Sequence, residues 1–132
     1  MNKKYLAKII AKDNQGLQMI SACCSEAKVN IRDIKYLPKN KIFLFFLERY
    51  SIENDKRNIK ISSVCKFEFV DTVKSKNIDQ NDKNLVLELL VIDLIKNKEN
   101  YEINLIFSNN AYITLFAEII EATLEDQNQK NQ

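Results

Sequence analysis

Four carboxylates interrupt apolar stretches of the sequence, at Asp33, Glu48, Glu88 and Asp93. Because the chain has no histidine, acid-base chemistry would fall to Asp, Glu, Lys, Cys or Tyr side chains that are activated by burial or by neighbouring charges. The same absence excludes the Ser-His-Asp and Cys-His nucleophile systems. Glu88 is the sharpest candidate because it lies inside an apolar run. It either serves a small-ligand or enzyme site as a buried carboxylate or points outward and pairs with a cation, and the pattern favours the second.

An ion pair and free thiols are the other reactive groups that the sequence predicts. Asp33 and Arg49 are expected near adjacent strand ends, where they would form a structural pair. The three cysteines are an odd number and two of them are adjacent, which argues against a disulfide framework and against a zinc site. We therefore expect buried free thiols in a reducing compartment, with Cys23 the most accessible of them.

Sites for metals and phosphate-bearing cofactors are not predicted. The aspartates at positions 71, 79 and 82 lack the alternating oxygen ligands and the glycine of a calcium-binding loop. Gly16 is the one glycine of the chain, whereas a phosphate-cradling loop needs several. We accordingly expect no cofactor, no metal and no catalytic residue.

The formal net charge is +2, but the two halves of the chain differ strongly in charge. Residues 1–66 carry 14 basic and 6 acidic side chains, whereas residues 67–132 carry 6 basic and 12 acidic ones. Either the N-terminal half presents a basic face to an anionic partner, or the halves interleave in one sheet and pair their charges. Interleaving is favoured because the lysines are scattered and arginine, the better residue for phosphate recognition, occurs three times.

One helix and a series of strands must position these groups. Asp13 can cap a helix, and Leu17, Ile20, Cys24 and Ala27 follow at spacings of three, four and three, which predicts a helix over residues 13–27 that packs on a sheet. The apolar runs at 42–47 and 85–95 predict neighbouring central strands that are covered on both faces. Residues 51–58 are predicted as a loop. Clean alternation on both sides of residues 109–110, an Asn-Asn pair, predicts a hairpin.

The elements together predict an α+β single domain over residues 1–126. It consists of an antiparallel β-rich sheet of six to seven strands with the N-terminal helix packed on it, followed by a disordered polar tail at 127–132. The alternative is a pleckstrin-like roll in which residues 118–126 form a C-terminal helix. The strand interpretation of 118–126 is slightly favoured.

Seven short segments with core or turn patterns are spread over nearly the whole chain. They are ISA at 20–22, DIKYLP at 33–38, FEFV at 67–70, VKS at 73–75, NID at 77–79, INLIF at 103–107 and IEATLED at 120–126. Together they resemble a small bacterial family, the domain of unknown function 2948. The resemblance implies a compact cytoplasmic domain and carries no catalytic residues. The chain departs from the family at residues 108–110, where a glycine-rich turn is expected, and at residues 47–50.

These observations favour a non-catalytic protein-interaction or assembly module that binds a protein partner or associates with itself. Weak nucleic-acid binding by the basic N-terminal half and a small-ligand or enzyme site with a buried carboxylate are the alternatives. Lysines at positions 8 and 12 interrupt the apolar N-terminal stretch, so neither a secretory signal nor a membrane segment is predicted and a cytoplasmic location is expected. The candidate interaction or charge-perturbed residues are Asp33, Arg49, Glu88 and Cys23.

Overall fold

A computed structural model describes residues 8–53 and 56–127 of the protein, and it describes the side-chain burial of all of these except residues 51–59. In this part of the chain one helix, α1 (Asn14–Cys23), accompanies ten antiparallel strands. The strands are β1 (Lys8–Ala11), β2 (Ala27–Asn30), β3 (Ile34–Leu37), β4 (Ile42–Glu53), β5 (Lys56–Phe67), β6 (Val70–Lys76), β7 (Val86–Lys96), β8 (Tyr101–Phe107), β9 (Ala111–Ala117) and β10 (Ala122–Asp126).

The strands form one sheet in the order β1-β10-β5-β4-β2-β7-β8-β9-β6, and β3 pairs with β4 beside this path. The sheet curls so that β6 approaches the turn between β3 and β4. The Val70 amide donates to the Lys41 carbonyl at 2.8 Å, and the Tyr36 hydroxyl donates to the Val70 carbonyl at 2.9 Å. This curling gives the sheet an inner face, which holds the core, and an outer face.

Helix α1 begins where the sequence predicts. The Asp13 side chain accepts from the Gly16 amide at 2.8 Å and so satisfies one of the free amides of the first turn. Gly16 lies against β1, and a β-carbon there would come within 2.9 Å of the Ala11 α-carbon. Leu17 and Ile20 are buried against the inner face of the sheet. The helix ends at Cys23, earlier than predicted, because Ala27 already belongs to β2 and pairs with β7.

The inner face is apolar because alternate residues of each strand point to it. On β8 and β9 the buried residues follow strict alternation. Phe43 packs between Phe45 and Phe67, with ring centroids 6.2 and 6.4 Å apart in tilted geometry. The largest of the side chains that have less than 2% exposure are Phe43, Phe45, Phe67, Phe107, Leu17, Ile20, Leu89, Ile103, Leu105, Leu115, Leu124 and Val29.

The α+β antiparallel class is confirmed, and several finer predictions are wrong. The described sheet has ten strands rather than six or seven. Residues 51–53 and 56–58 continue β4 and β5 instead of forming a loop, because the two strands pair almost to their shared end. Residues 122–126 form β10, so the alternative C-terminal helix is absent and the favoured strand is present. The predicted disordered tail falls mostly on residues 128–132, outside the described residues, while Gln127 donates its amide to the Ser62 carbonyl.

The prediction that two apolar strands lie side by side, covered on both faces, is also wrong. β2 separates β4 from β7 in the sheet. Helix α1 covers the inner face alone, so Phe46 on β4 and Leu90 on β7 remain more than 40% exposed on the outer face. In β4 and β7 the residues that point to both faces are apolar. Here this pattern indicates an exposed apolar surface and not a second covering layer.

The β8–β9 hairpin has the turn that its asparagines predict. Asn109 and Asn110 have φ angles of 63° and 59°, which is the left-handed geometry of a two-residue hairpin turn. Replacing Asn110 with alanine is expected to lower the free energy of unfolding by about 1 kcal/mol, whereas glycine should leave it equal or higher. Asn40→Ala is the control, because Asn40 lies in a turn without a positive φ. Urea denaturation of the three variants tests this, and equal losses for alanine and glycine at 110 would contradict it.

Candidate functional site

Arg49 belongs to a buried polar network on the inner face. Its Nη2 donates to both carboxylate oxygens of Asp126 on β10, at 2.9 and 3.0 Å, and its Nε donates at 3.2 Å to Asp126 and to the Ser63 hydroxyl. The Ser63 hydroxyl in turn donates to Asp126 at 2.7 Å. The guanidinium and carboxylate side chains are 9% and 3% exposed. The ion pair and its hydrogen bonds thus connect three adjacent strands, β4, β5 and β10, and the polar atoms of the network have hydrogen-bond partners.

The predicted pair of Asp33 with Arg49 is not formed. Asp33 ends an exposed 3-10 turn at Ile31–Asp33, and it lines a cleft of about 430 Å³ on the outer face beside Lys28 and Glu48. Arg49 points to the other face of the sheet, where Asp126 meets it. Asp33 lies next to a strand end as predicted, directly before β3, but Arg49 lies inside β4, which continues to Glu53, so its predicted place near a strand end is wrong. The sequence also could not say which face each side chain takes.

Glu88 lies on the outer face and pairs with Lys28, with 3.6 Å between its Oε1 and the lysine Nζ. The two residues are register partners on β7 and β2, and the Glu88 side chain is 34% exposed. This is the outward, paired arrangement. It gives Glu88 a solvated cation as its neighbour, which is unlike the environment that activates a catalytic acid.

The cysteines divide into one part-exposed and two buried thiols. Cys23 is half-buried at the end of α1, whereas Cys24 and Cys65 are 0% exposed. Burial, together with a hydrogen bond to the Cys24 side chain and its charge, raises the pKa of the Cys65 thiol well above its usual range. All three are free thiols. The structure brings Cys65 to Cys24, a contact that no sequence spacing indicated.

A surface that the sequence interpretation missed covers the outer face of β7, β8, β9 and β6. We call it the outer patch and define it by its exposed or half-buried side chains. Register pairs run across it in rows, from Val91 through Ile106 and Tyr112 to Lys76, and from Ile95 through Glu102 and Phe116 to Thr72. Between these rows lies a polar row, Asp93, Asn104, Thr114 and Lys74.

A bulge in β7 adds to the apolar part of the outer patch. The register shifts between Leu89 and Val91, so that Leu90 and Val91 are both exposed, at 43% and 41%. The bulge is held from the inner side, where the Ile92 amide donates to the Ser21 hydroxyl of α1 at 2.8 Å. A signal for this surface was present in the sequence, because the outward phase of β8 and β9 contains Ile106, Tyr112 and Phe116 among its polar residues.

The polar groups at the centre of the outer patch are already hydrogen-bonded. The Thr114 hydroxyl donates to Asn104 Oδ1 at 2.7 Å, and Asn104 Nδ2 donates to a Glu102 carboxylate oxygen at 3.3 Å. Lys74 Nζ lies 5.5 Å from the centre of the Phe116 ring. A partner that covered this face would therefore leave few polar atoms without a hydrogen bond.

Three further observations concern clefts, metal ligands and membrane-spanning helices. A cleft of about 380 Å³ opens between β3 and β6 and is lined mainly by apolar residues, among them Ile34, Tyr36 and Val73, with Ser75 and Gln80 as polar residues. Over residues 8–53 and 56–127 no group of three or more metal-ligating side chains is found. In the same residues no helix is long and apolar enough to cross a membrane.

The sequence matches one protein family over almost its full length. A family model described as "Protein of unknown function (DUF2948)" matches residues 7–132, which is essentially the whole chain. The protein belongs to this family. No curated protein and no solved structure matches it.

The family assignment confirms the resemblance on which the sequence interpretation drew. At residues 108–110, where the sequence interpretation expected a glycine-rich turn, Asn109 and Asn110 supply the left-handed geometry of a two-residue hairpin turn. Arg49, in the segment 47–50, forms the buried pair with Asp126.

The buried network makes a sharp prediction about stability. Arg49→Met is expected to lower the free energy of unfolding by about 3 kcal/mol or more, because it removes the guanidinium that balances a buried carboxylate. The control is Lys60→Met, which removes an exposed cation lying 3.7 Å from Glu48 and should change stability by less than about 0.5 kcal/mol. Urea denaturation measures both, and similar values for the two variants would contradict a stabilising role for the network.

The thiols are expected to differ in reactivity. In the folded protein a thiol reagent should modify Cys23 first, because burial keeps Cys24 and Cys65 from the reagent and the raised pKa of Cys65 lowers its thiolate fraction. Cys23→Ser should remove the fast phase of labelling, and Cys65→Ser should retain it. Mass spectrometry of labelled peptides, with and without urea, assigns each phase; rapid native labelling at Cys65 would refute the expectation.

Proposed function

We propose that the protein is a non-catalytic protein-interaction module and that the outer patch is its contact surface. The observation that carries the proposal is the exposure of Leu90, Val91 and Ile95 on one strand, next to Ile106, Tyr112 and Phe116 on its neighbours. A face that combines exposed apolar and aromatic side chains with hydrogen-bonded polar groups is typical of protein-binding surfaces.

The rigidity of the outer patch supports the same function. Its strands are hydrogen-bonded to each other along their length, and the bulge in β7 is fixed to α1 through Ser21. A partner would meet side chains that are already ordered, so little conformational entropy is lost on binding. The two clefts described above lie outside the three rows of the outer patch.

An enzyme or small-ligand function that uses a buried carboxylate has less support. Glu88 is paired with Lys28 on the outer face. Asp126 is the one carboxylate that is buried among the described side chains, and the Arg49 guanidinium and the Ser63 hydroxyl already bind it. Neither group faces an apolar pocket with a free acid-base position.

Nucleic-acid binding by the basic half also has less support. Lys28, Lys41 and Arg49 from the basic half pair with Glu88, Asp71, Glu118 and Asp126 from the acidic half. Lys41 lies between two carboxylates, Asp71 at 3.0 Å and Glu118 at 3.4 Å, and hydrogen bonds and charge interactions with them raise its pKa. Cations held in this way contribute less to a phosphate-binding face.

A photo-crosslinking experiment tests the proposed surface. A photoreactive phenylalanine analogue is placed at Tyr112 in the outer patch and, as a matched control, at Tyr50, which is exposed on β4 outside the patch. Irradiation in a lysate of the source cells is expected to give a protein adduct of defined mass from position 112 and none of that mass from position 50.

A second variant shows whether the adduct depends on the patch. Val91→Asp, which adds a charge to the patch without entering the core, should abolish the adduct from position 112 while circular dichroism remains unchanged. An adduct that survives Val91→Asp, an equal adduct from position 50, a nucleic-acid adduct, or no adduct at all would overturn the proposed function.

A further inference from the structure

We propose that the partner on the outer patch is a second copy of this chain, packed face to face about a twofold axis parallel to β8 and β9. The inference rests on the proposed function, because it names the occupant of the same surface. It is drawn from the order of charges and apolar groups across the four strands, which becomes self-complementary under that symmetry.

The polar row of the outer patch has opposite charges at its two ends. Asp93 lies on β7 at one border, Lys74 lies on β6 at the other, and Asn104 and Thr114 lie between them. A twofold axis along the strands, between β8 and β9, exchanges the two borders. Each Asp93 then faces Lys74 of the other copy, so that a dimer gains this ion pair twice.

The two charges have no counterion among the residues that the structure describes. Over residues 8–53 and 56–127, Asp93 takes part in no ion pair, and Lys74 meets the Phe116 ring but no carboxylate. Lys28 and Glu88, by contrast, are register partners on β2 and β7 and pair with each other. Asp93 and Lys74 thus keep their charges available for a partner.

Under the same symmetry Ile106 of one copy lies over Tyr112 of the other, which brings apolar surface together beside the polar row. In the other positions of these rows, Val91 faces Lys76 and Glu102 faces Phe116. Asn104 lies over Thr114, and both already have hydrogen-bond partners in their own chain, so their burial leaves few unsatisfied atoms. Two sheets packed face to face are about 10 Å apart, a gap that an aspartate and an extended lysine side chain can span together.

The size of the surface sets the expected strength of the dimer. Four strands at a spacing of about 4.8 Å and seven residues of about 3.4 Å each give a footprint of roughly 450 Å². That footprint is smaller than the roughly 800 Å² per partner of stable complexes. We therefore expect a reversible dimer at high protein concentration, in which the two ion pairs contribute a substantial share of the affinity and salt weakens association.

Reversing the charge at Asp93 or at Lys74 tests the proposed dimer. The dissociation constant of the full chain is measured by analytical ultracentrifugation over a range of concentrations at low salt. Asp93→Lys and Lys74→Asp are each expected to weaken the dimer about tenfold or more, because each places like charges opposite one another at two sites. An equimolar mixture of the two variants should regain the affinity of the unchanged protein, since the heterodimer restores both opposite-charge contacts.

Matched controls reverse charges outside the outer patch. Glu125→Lys and Lys35→Asp alter exposed side chains on β10 and β3, and they should leave the dissociation constant unchanged. Circular dichroism and thermal denaturation confirm that all four variants are folded. A dimer that the two patch variants do not weaken, or a mixture that does not recover affinity, would overturn the proposed arrangement.

The outcomes also separate this inference from the proposed function. A chain that stays monomeric at every concentration, while Tyr112 crosslinks to a different protein, would overturn self-association and retain the protein-interaction module. A monomer without any crosslink from position 112 would overturn both. A crosslink from position 112 to the same chain, lost in Asp93→Lys, would support both.

Discussion

One helix of ten residues is available to cover a ten-stranded sheet in the described part of the chain, and this shortage of covering elements shapes the molecule. The sheet buries its inner face by curling on itself, so that β6 approaches the turn before β4, and α1 fills part of the enclosed space. No second layer is left for the outer face in the described residues. Apolar side chains on that face remain in contact with water, which is why we propose it as the contact surface.

Interleaving of the two halves of the chain brings the basic residues of one half next to the acidic residues of the other. β5 from the basic half pairs with β10 from the acidic half, and β2 pairs with β7. Ion pairs between the halves follow from this topology, including the buried one between Arg49 and Asp126. A buried pair of this kind contributes less to net stability than to the register of the strands that carry it, because desolvation offsets much of its attraction.

The outer patch combines three features that would favour binding. Its apolar side chains lie on hydrogen-bonded strands, the amide and hydroxyl at its centre are hydrogen-bonded, and the opposite charges of Asp93 and Lys74 lie at opposite borders. Ordered strands lower the entropy lost on binding, hydrogen-bonded polar groups lower the cost of desolvation, and opposite charges at the borders avoid repulsion with a partner. The bulge in β7 contributes directly, since it exposes Leu90 and Val91 together while Ser21 fixes the backbone behind them.

The sequence by itself determined the local elements: the capped helix with its buried stripe at Leu17 and Ile20, the alternating strands, and the Asn-Asn hairpin. These follow from side-chain periodicity and backbone preference, which act over a few residues. It also indicated that Glu88 would be paired and outward. Tertiary structure alone decided the strand order, the partner of Arg49, the contact of Cys24 with Cys65 and the existence of the outer patch. These depend on which strands become neighbours and which face the single helix covers, and both are set by burial of the whole sheet rather than by any local pattern.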